Sequence, residues 1–236
     1  MSSTEYQVDR RELHFVVNET LQAGKLCEFP DFAEFDEEMF TMIINEASTF
    51  AEQVLAPLNV NGDRQGCRIE NGAVVTPDGF TDAWKQLGEG GWLSMSLPPE
   101  FGGQGIPELI AVIGKETQLA ANQGFTIGAS LTTGAANLIY TFGSDLQKNE
   151  FCQNMFSGKW AGTMCLTEPH AGSAVGDVIT SATKQEEGHY LIKGTKQFIT
   201  NGDHDMADNI VHLLLARTPN SQQGTKGFSL FIVPKK

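Results

Sequence analysis

The residues best suited to chemistry crowd into one stretch, Cys165-Leu166-Thr167-Glu168-Pro169-His170-Ala171-Gly172-Ser173-Ala174-Val175-Gly176-Asp177. Pro169 ends the β-like run before it, and Gly172 and Gly176 let the backbone turn sharply. Such a turn presents N–H groups, together with the Ser173 hydroxyl, to an anion. The chemistry on offer is phosphate binding; the plain alternative is a structural turn, and this stretch alone leaves both open. It is neither a dinucleotide fingerprint nor a P-loop, because G-x-G-x-x-G and G-x-x-x-x-G-K are both missing from it and a strand follows. A second stretch, Gln197-Phe198-Ile199-Thr200-Asn201-Gly202, reads as a strand ending in a glycine turn. Phe198 is there either a core residue or a platform for a planar ring, whose heteroatoms the Thr200 hydroxyl can reach.

Other polar groups carry less. His204, Asp205 and Asp208 crowd one turn, a pattern commoner in solvated acidic loops than in cation sites, and His14, His170, His189 and His212 share no ligand spacing. No metal is expected. Cys27, Cys67, Cys152 and Cys165 form no C-x-x-C pair, which argues against zinc or a disulfide framework and for a reducing compartment.

The elements that position these stretches change period along the chain. From 31 to 157 apolar residues recur at helical steps: Met39, Phe40, Ile43, Ile44, Ala47, Phe50, Ala51, Val54 and Leu55 form one stripe, with Asp36 as cap and Pro57 as stop. Pro107 suits the start of another helix, Phe125 to Phe142 is apolar nearly all round, and Ser144 with Gln147 forms a capping box. After Gly158 come short runs rich in β-branched and aromatic residues: 160–167, 178–184, 189–193, 196–200, 210–216 and 228–233. The fold expected is α+β: an N-terminal extension (1–30), an all-helical domain (31–157) and an incomplete, antiparallel, barrel-like β-domain (158–236).

With 29 acidic against 16 basic residues the formal net charge is −13, which repels nucleic acid and anionic membrane surfaces. The first residues lack the basic start and apolar core of a signal peptide, and no apolar run is long enough to span a bilayer. A cytoplasmic protein is expected.

Taken together, the two stretches resemble the paired flavin-binding segments of the acyl-CoA dehydrogenase family, C-[LV]-T-E-P-x-x-G-S and [WF]-I-T-N-G. Gly91-Trp92 with Pro99-Glu100-Phe101-Gly102-Gly103-Gln104-Gly105, and Gly143-Ser144-Asp145-Leu146-Gln147-Lys148, resemble two further family motifs. The segments Arg11–Glu19 and Gly202–Ile210 resemble a branch with an N-terminal extension that includes 3-methylmercaptopropionyl-CoA dehydrogenases. The resemblance implies an FAD-dependent oxidoreductase of fatty-acid β-oxidation that dehydrogenates an acyl-CoA, passes electrons to an electron-transfer flavoprotein and works as a homo-oligomer. It implies flavin contacts from Met164, Leu166, Thr167, Gly172, Ser173, Phe198, Ile199 and Thr200, with Ser173 also near the acyl-CoA. Two positions depart from the pattern: Ala174 stands where Asp is frequent, and Phe198 where Trp is common. The family's catalytic base is usually a Glu of a C-terminal helical domain, to which no position here corresponds, so no catalytic residue is assigned and this chain by itself is expected to be inactive. Glu168 is read as structural. The competing expectations are a nucleotide- or partner-binding fragment without catalysis and an acyl-CoA oxidase-type flavoprotein.

Overall fold

A computed structural model describes residues 6–236. The leaderless reading of the N-terminus falls partly on residues 1–5, outside the described residues. Helix α1 (Arg10–His14) runs on as a π-turn to Thr20 and is strapped to the helices behind it. The Arg10 guanidinium grips the Glu52 carboxylate at 2.9 and 2.7 Å, and the Tyr6 hydroxyl donates to the Thr117 carbonyl at 2.9 Å.

Helix α2 (Glu37–Phe50) starts where its sequence implies, with the Asp36 carboxylate accepting the Met39 N–H at 2.7 Å; Phe40, Ile44 and Ala47 of the expected stripe are buried. Pro57 does not stop the stripe. A wider π-turn, Ala51–Leu55, leads into α3 (Ala56–Gln65), and Pro57 sits in the first turn of α3, where a missing N–H costs little. The Asn71-Gly72 turn closes a hairpin of β1 (Arg68–Glu70) and β2 (Ala73–Val75), absent from the reading above. Both turn residues have positive φ, 51° and 81°, as a two-residue hairpin turn requires.

Helices α4 (Phe80–Glu89), α5 (Glu108–Ala121) and α6 (Gln123–Phe142) complete the bundle. The predicted capping box at Ser144 and Gln147 opens α7 (Asp145–Gln147), which continues through a π-turn into α8 (Gln153–Phe156). The sheet that follows contains β3 (Trp160–Cys165), β4 (Ser181–Lys184), β5 (Tyr190–Lys193), β6 (Asn209–Arg217) and β7 (Phe228–Pro234).

The expected helical half followed by a sheet is therefore present, but the sheet is mixed rather than antiparallel throughout. β6 lies parallel to β3 from Trp160↔Asn209 to Cys165↔Leu214 and touches β4 in parallel at Ser181↔Arg217; β4–β5 and β6–β7 are antiparallel. The reason is the connection. Between β3 and β6 the chain makes a loop and the whole β4–β5 hairpin, long enough to return in the same direction. Residues 196–200 are not a strand, for a reason that belongs to the site.

Helix α6 covers β3 through small residues. The Gly162 N–H donates to the Thr132 hydroxyl at 2.9 Å, and a Cβ on Gly162 would lie 2.7 Å from Met155 Cε and 2.8 Å from Ala135 Cβ. A continuous apolar cluster of Ala135, Ala136, Ile139, Met155, Val211 and Leu213 joins helices and sheet. Gly162→Ala is therefore expected to destabilise by roughly 1–3 kcal/mol through overpacking. A lowered urea midpoint at unchanged slope would show it, and an unaltered midpoint would mean the helix and sheet meet less closely than described.

Candidate flavin-binding site

Past Cys165 the chain leaves β3, and its next residues are fastened to the second stretch. The Leu166 carbonyl accepts the Lys196 ammonium at 2.9 Å, and the Thr167 carbonyl accepts the Gln197 N–H at 3.0 Å. The two segments singled out in the sequence thus lie side by side. This pairing replaces the strand expected at 196–200, and it cannot propagate because Phe198 and Asn201 have positive φ, 57° and 54°.

Glu168 anchors the arrangement. It is 1% exposed, and its carboxylate accepts the Ile179 N–H at 2.9 Å, the Thr180 N–H at 3.0 Å, the Thr180 hydroxyl and the Lys196 ammonium at 2.9 Å. Burial alone would push this carboxyl up. The Thr180 hydroxyl, the Ile179 N–H, Lys196 and the Thr180 N–H outweigh it and bring the carboxyl down to about 2. A carboxylate buried and held by four donors, three of them on Oε1, keeps its charge, which makes it a poor base and a good tie.

Around this tie the remaining candidates divide. Phe198 is 86% exposed, the most exposed large apolar side chain of the described residues, although it is a bulky residue held in a left-handed backbone. Thr200, Gly172, Ser173 and Ala174 are exposed, and Leu166, Thr167 and Ile199 are half-buried beside them. Met164, on β3, packs instead against the apolar cluster under α6. The Asn201 side chain presses on α6 where Gly128 leaves space; a Cβ there would fall 1.7 Å from Asn201 Nδ2.

The turn containing His204 and Asp205 is tied to the helical half. Asp205 accepts the Thr76 N–H at 3.1 Å and its hydroxyl at 2.7 Å, while His204 Nδ1 accepts the Met206 N–H at 3.1 Å and its ring lies 5.9 Å from that of Trp84. Among the described residues no group of three or more His, Cys, Asp or Glu side chains is placed to share a metal ion. No described helix is long and apolar enough to cross a membrane.

The model of the acyl-CoA dehydrogenase N-terminal domain matches residues 37–159, and that of the middle domain matches 163–236. The chain belongs to the acyl-CoA dehydrogenase family. It is 40% identical, over 98% of its length, to a 3-methylmercaptopropionyl-CoA dehydrogenase of Ruegeria pomeroyi, of which it spans 39%. A solved acyl-CoA dehydrogenase of Bacillus anthracis complexed with FAD superposes with a TM-score of 0.68 at 27% identity, over 86% of this chain and 32% of that one. A structure described as the electron transferring flavoprotein of Acidaminococcus fermentans gives 0.69 at 30% identity, over 85% of this chain and 48% of that one.

The sequence reading missed Lys196 and Thr180, the partners of Glu168. Lys196 had a signal: a lone lysine two residues before an aromatic, in a run otherwise read as a strand. Thr180 had none, since its contact spans a loop.

Two buried titratable groups, His204 and Glu168, make the fold sensitive to acid. Burial lowers the His204 pKa from 6.5 to about 4 despite Asp203 and Asp205, and that of Glu168 falls from 4.5 to about 2. In each case the folded pKa is below the unfolded one, so the contribution is complete above the unfolded pKa and is lost as pH falls through the folded value. Tm is expected to decline first between pH 6.5 and 4 through His204, then below 4.5 through Glu168. A Glu168→Gln variant, less stable at neutral pH, should show a flattened lower limb; a profile parallel to that of the wild type would refute the assignment.

Proposed function

We propose that this chain forms the N-terminal and middle portions of an FAD-dependent acyl-CoA dehydrogenase that introduces an α,β double bond into a short or medium acyl-CoA, 3-(methylthio)propanoyl-CoA included. Electron-transfer flavoprotein as oxidant, a homo-oligomeric assembly, a place in fatty-acid β-oxidation and a cytoplasmic setting belong to the same reading. The observation that carries it is Phe198. A left-handed backbone costs an L residue with a side chain roughly 1–2 kcal/mol, and here that conformation holds an aromatic ring out in solvent. Such an arrangement fits a ring that a planar ligand covers.

The surrounding residues fit FAD. Phe198 offers the ring face, Thr200 a hydroxyl at the same rim, Leu166 and Thr167 half-exposed backbone fixed by their carbonyls, and Gly172 with Ser173 an exposed loop for phosphate oxygens. Bound FAD supplies a two-electron acceptor for the hydride that leaves the acyl β-carbon. The chain's own part is to hold and orient. Donors fixed before the reaction cost no reorganisation when negative charge develops, which is what the Glu168 tie secures for the 166–168 backbone. No described residue is assigned to remove the α-proton, and Glu168 is unsuited to that role because it is buried, bound by four donors and low in pKa.

The test is to titrate the full-length protein with FAD, then add butyryl-CoA or 3-(methylthio)propanoyl-CoA anaerobically and follow loss of visible flavin absorbance. Bleaching by either thioester supports the reading; flavin that never bleaches defeats it. Phe198→Gly removes both the ring and the strained side chain. The urea midpoint of the apoprotein is expected to hold or rise, while FAD affinity falls by up to about tenfold with loss of the aromatic face. Wild-type FAD affinity in that variant would show that Phe198 has another purpose.

A further inference from the structure

Arg217, the last residue of β6, forms no ion pair with a carboxylate among the described residues. Its guanidinium donates instead to four backbone carbonyls: Nε to Val178 at 2.8 Å, Nη2 to Gly176 at 2.7 Å and to Gly224 at 3.0 Å, and Nη1 to Gln222 at 2.9 Å. The guanidinium carbon lies 4.3 Å from the centroid of the Phe228 ring, and the Arg217 N–H donates to the Thr180 carbonyl at 2.8 Å. One side chain therefore clamps two loops that are distant in sequence, 176–178 and 222–224.

The glycines around it confirm how closely the loops meet. A Cβ on Gly176 would sit 3.5 Å from Gly224 Cα, and one on Gly227 would fall 1.8 Å from the Gln222 carbonyl oxygen and 2.7 Å from Arg217 Nη1. Only a planar fork with donors in fixed directions satisfies four carbonyls in this way. A lysine ammonium has three donors at a single point and cannot span both loops.

The consequence concerns the exposed Gly172–Asp177 stretch. Its N-terminal end is held by the bridge between Glu168 and Ala171. Its C-terminal end is held by Arg217 through the Gly176 and Val178 carbonyls, beside a 3.2 Å hydrogen bond between His170 Nε2 and the Asp177 carbonyl. We infer that Arg217 is a positioning residue for phosphate binding: with these carbonyls turned inward, it fixes the loop that receives the phosphate oxygens of the flavin cofactor. This rests on the flavin reading above. Four of the five Arg217 N–H groups already donate to backbone carbonyls, so its part is to hold the loop.

The test compares Arg217→Lys and Arg217→Met in the full-length protein by FAD affinity from flavin fluorescence, hydrogen exchange and KM for butyryl-CoA at saturating FAD. Both variants are expected to lose about tenfold in FAD affinity, equal to ~1.4 kcal/mol. Exchange should rise in 172–178 and 221–227 and stay unchanged in α5 and α6, with KM unaffected. Gly227→Ala, which keeps the arginine but intrudes on Nη1, should give the same signature and serves if Arg217→Met does not fold. Wild-type FAD affinity in Arg217→Lys would overturn the proposal, because charge rather than the fork would then be what matters. Exchange rising throughout the sheet in step with a lowered Tm would overturn it too, leaving Arg217 merely structural. A raised KM with unchanged FAD affinity would move the loop's ligand from FAD to the CoA phosphates and likewise refute it. If the wild type binds no FAD, the flavin reading itself fails, while the exchange comparison still decides whether Arg217 clamps the loop.

Discussion

The arrangement depends on a single buried charge. Among the described residues, the Glu168 carboxylate is the one group that bonds at once to the approach to β4 and to the segment that begins at Lys196 while standing at the end of β3. A buried ion pair is seldom a net source of stability compared with apolar packing, yet breaking one member leaves the other uncompensated and costs about 3–5 kcal/mol. That asymmetry suits a positioning role. Apolar side chains would tolerate a shifted loop, whereas a carboxylate with four donors does not. Lys196 extends the effect, because the ammonium that neutralises Glu168 also holds the Leu166 carbonyl.

Around that tie the molecule separates what must be fixed from what must be open. The side chains that hold, Glu168, Thr180 and Lys196, are buried; those that face outward, Ser173, Phe198 and Thr200, have nothing to hold. Phe198 marks the boundary. Its backbone leaves the ladder at the residue after Gln197, and the turn that follows rests on α6 through Asn201 and the space at Gly128. The helical half thereby helps set the position of a rim that belongs to the sheet.

What the sequence disclosed was local. Caps at Asp36 and Ser144, the stripe from Met39 to Leu55 and the glycine at 143 are written in neighbouring residues, and the structure follows them. Pro57 misled because a π-turn before it absorbed the missing hydrogen bond, a compensation no residue type announces. The direction of β6 was equally hidden: alternation places a strand but not its partner, and only the length of the chain between β3 and β6 permits the parallel pairing. Phe198-Ile199-Thr200 has strand-like composition, and it was overridden by φ at Phe198 and by the contacts of Lys196 and Gln197 with the first loop.

The departures at Ala174 and Phe198 can now be weighed against this geometry. Phe198 keeps an aromatic face and lacks only an N–H donor, so the ring contact proposed for it does not depend on an indole. Ala174 matters less to the loop's shape than its sequence context suggests. The loop is held at one end by Glu168 with the Ala171 bridge and at the other by the Gly176 and Val178 carbonyls, and neither attachment passes through position 174. A carboxylate at 174 would instead place a negative charge among exposed groups proposed to face phosphate, where like charges oppose binding. Its replacement by alanine removes that repulsion while leaving both anchors intact, so the substitution is compatible with phosphate binding by the 172–176 backbone.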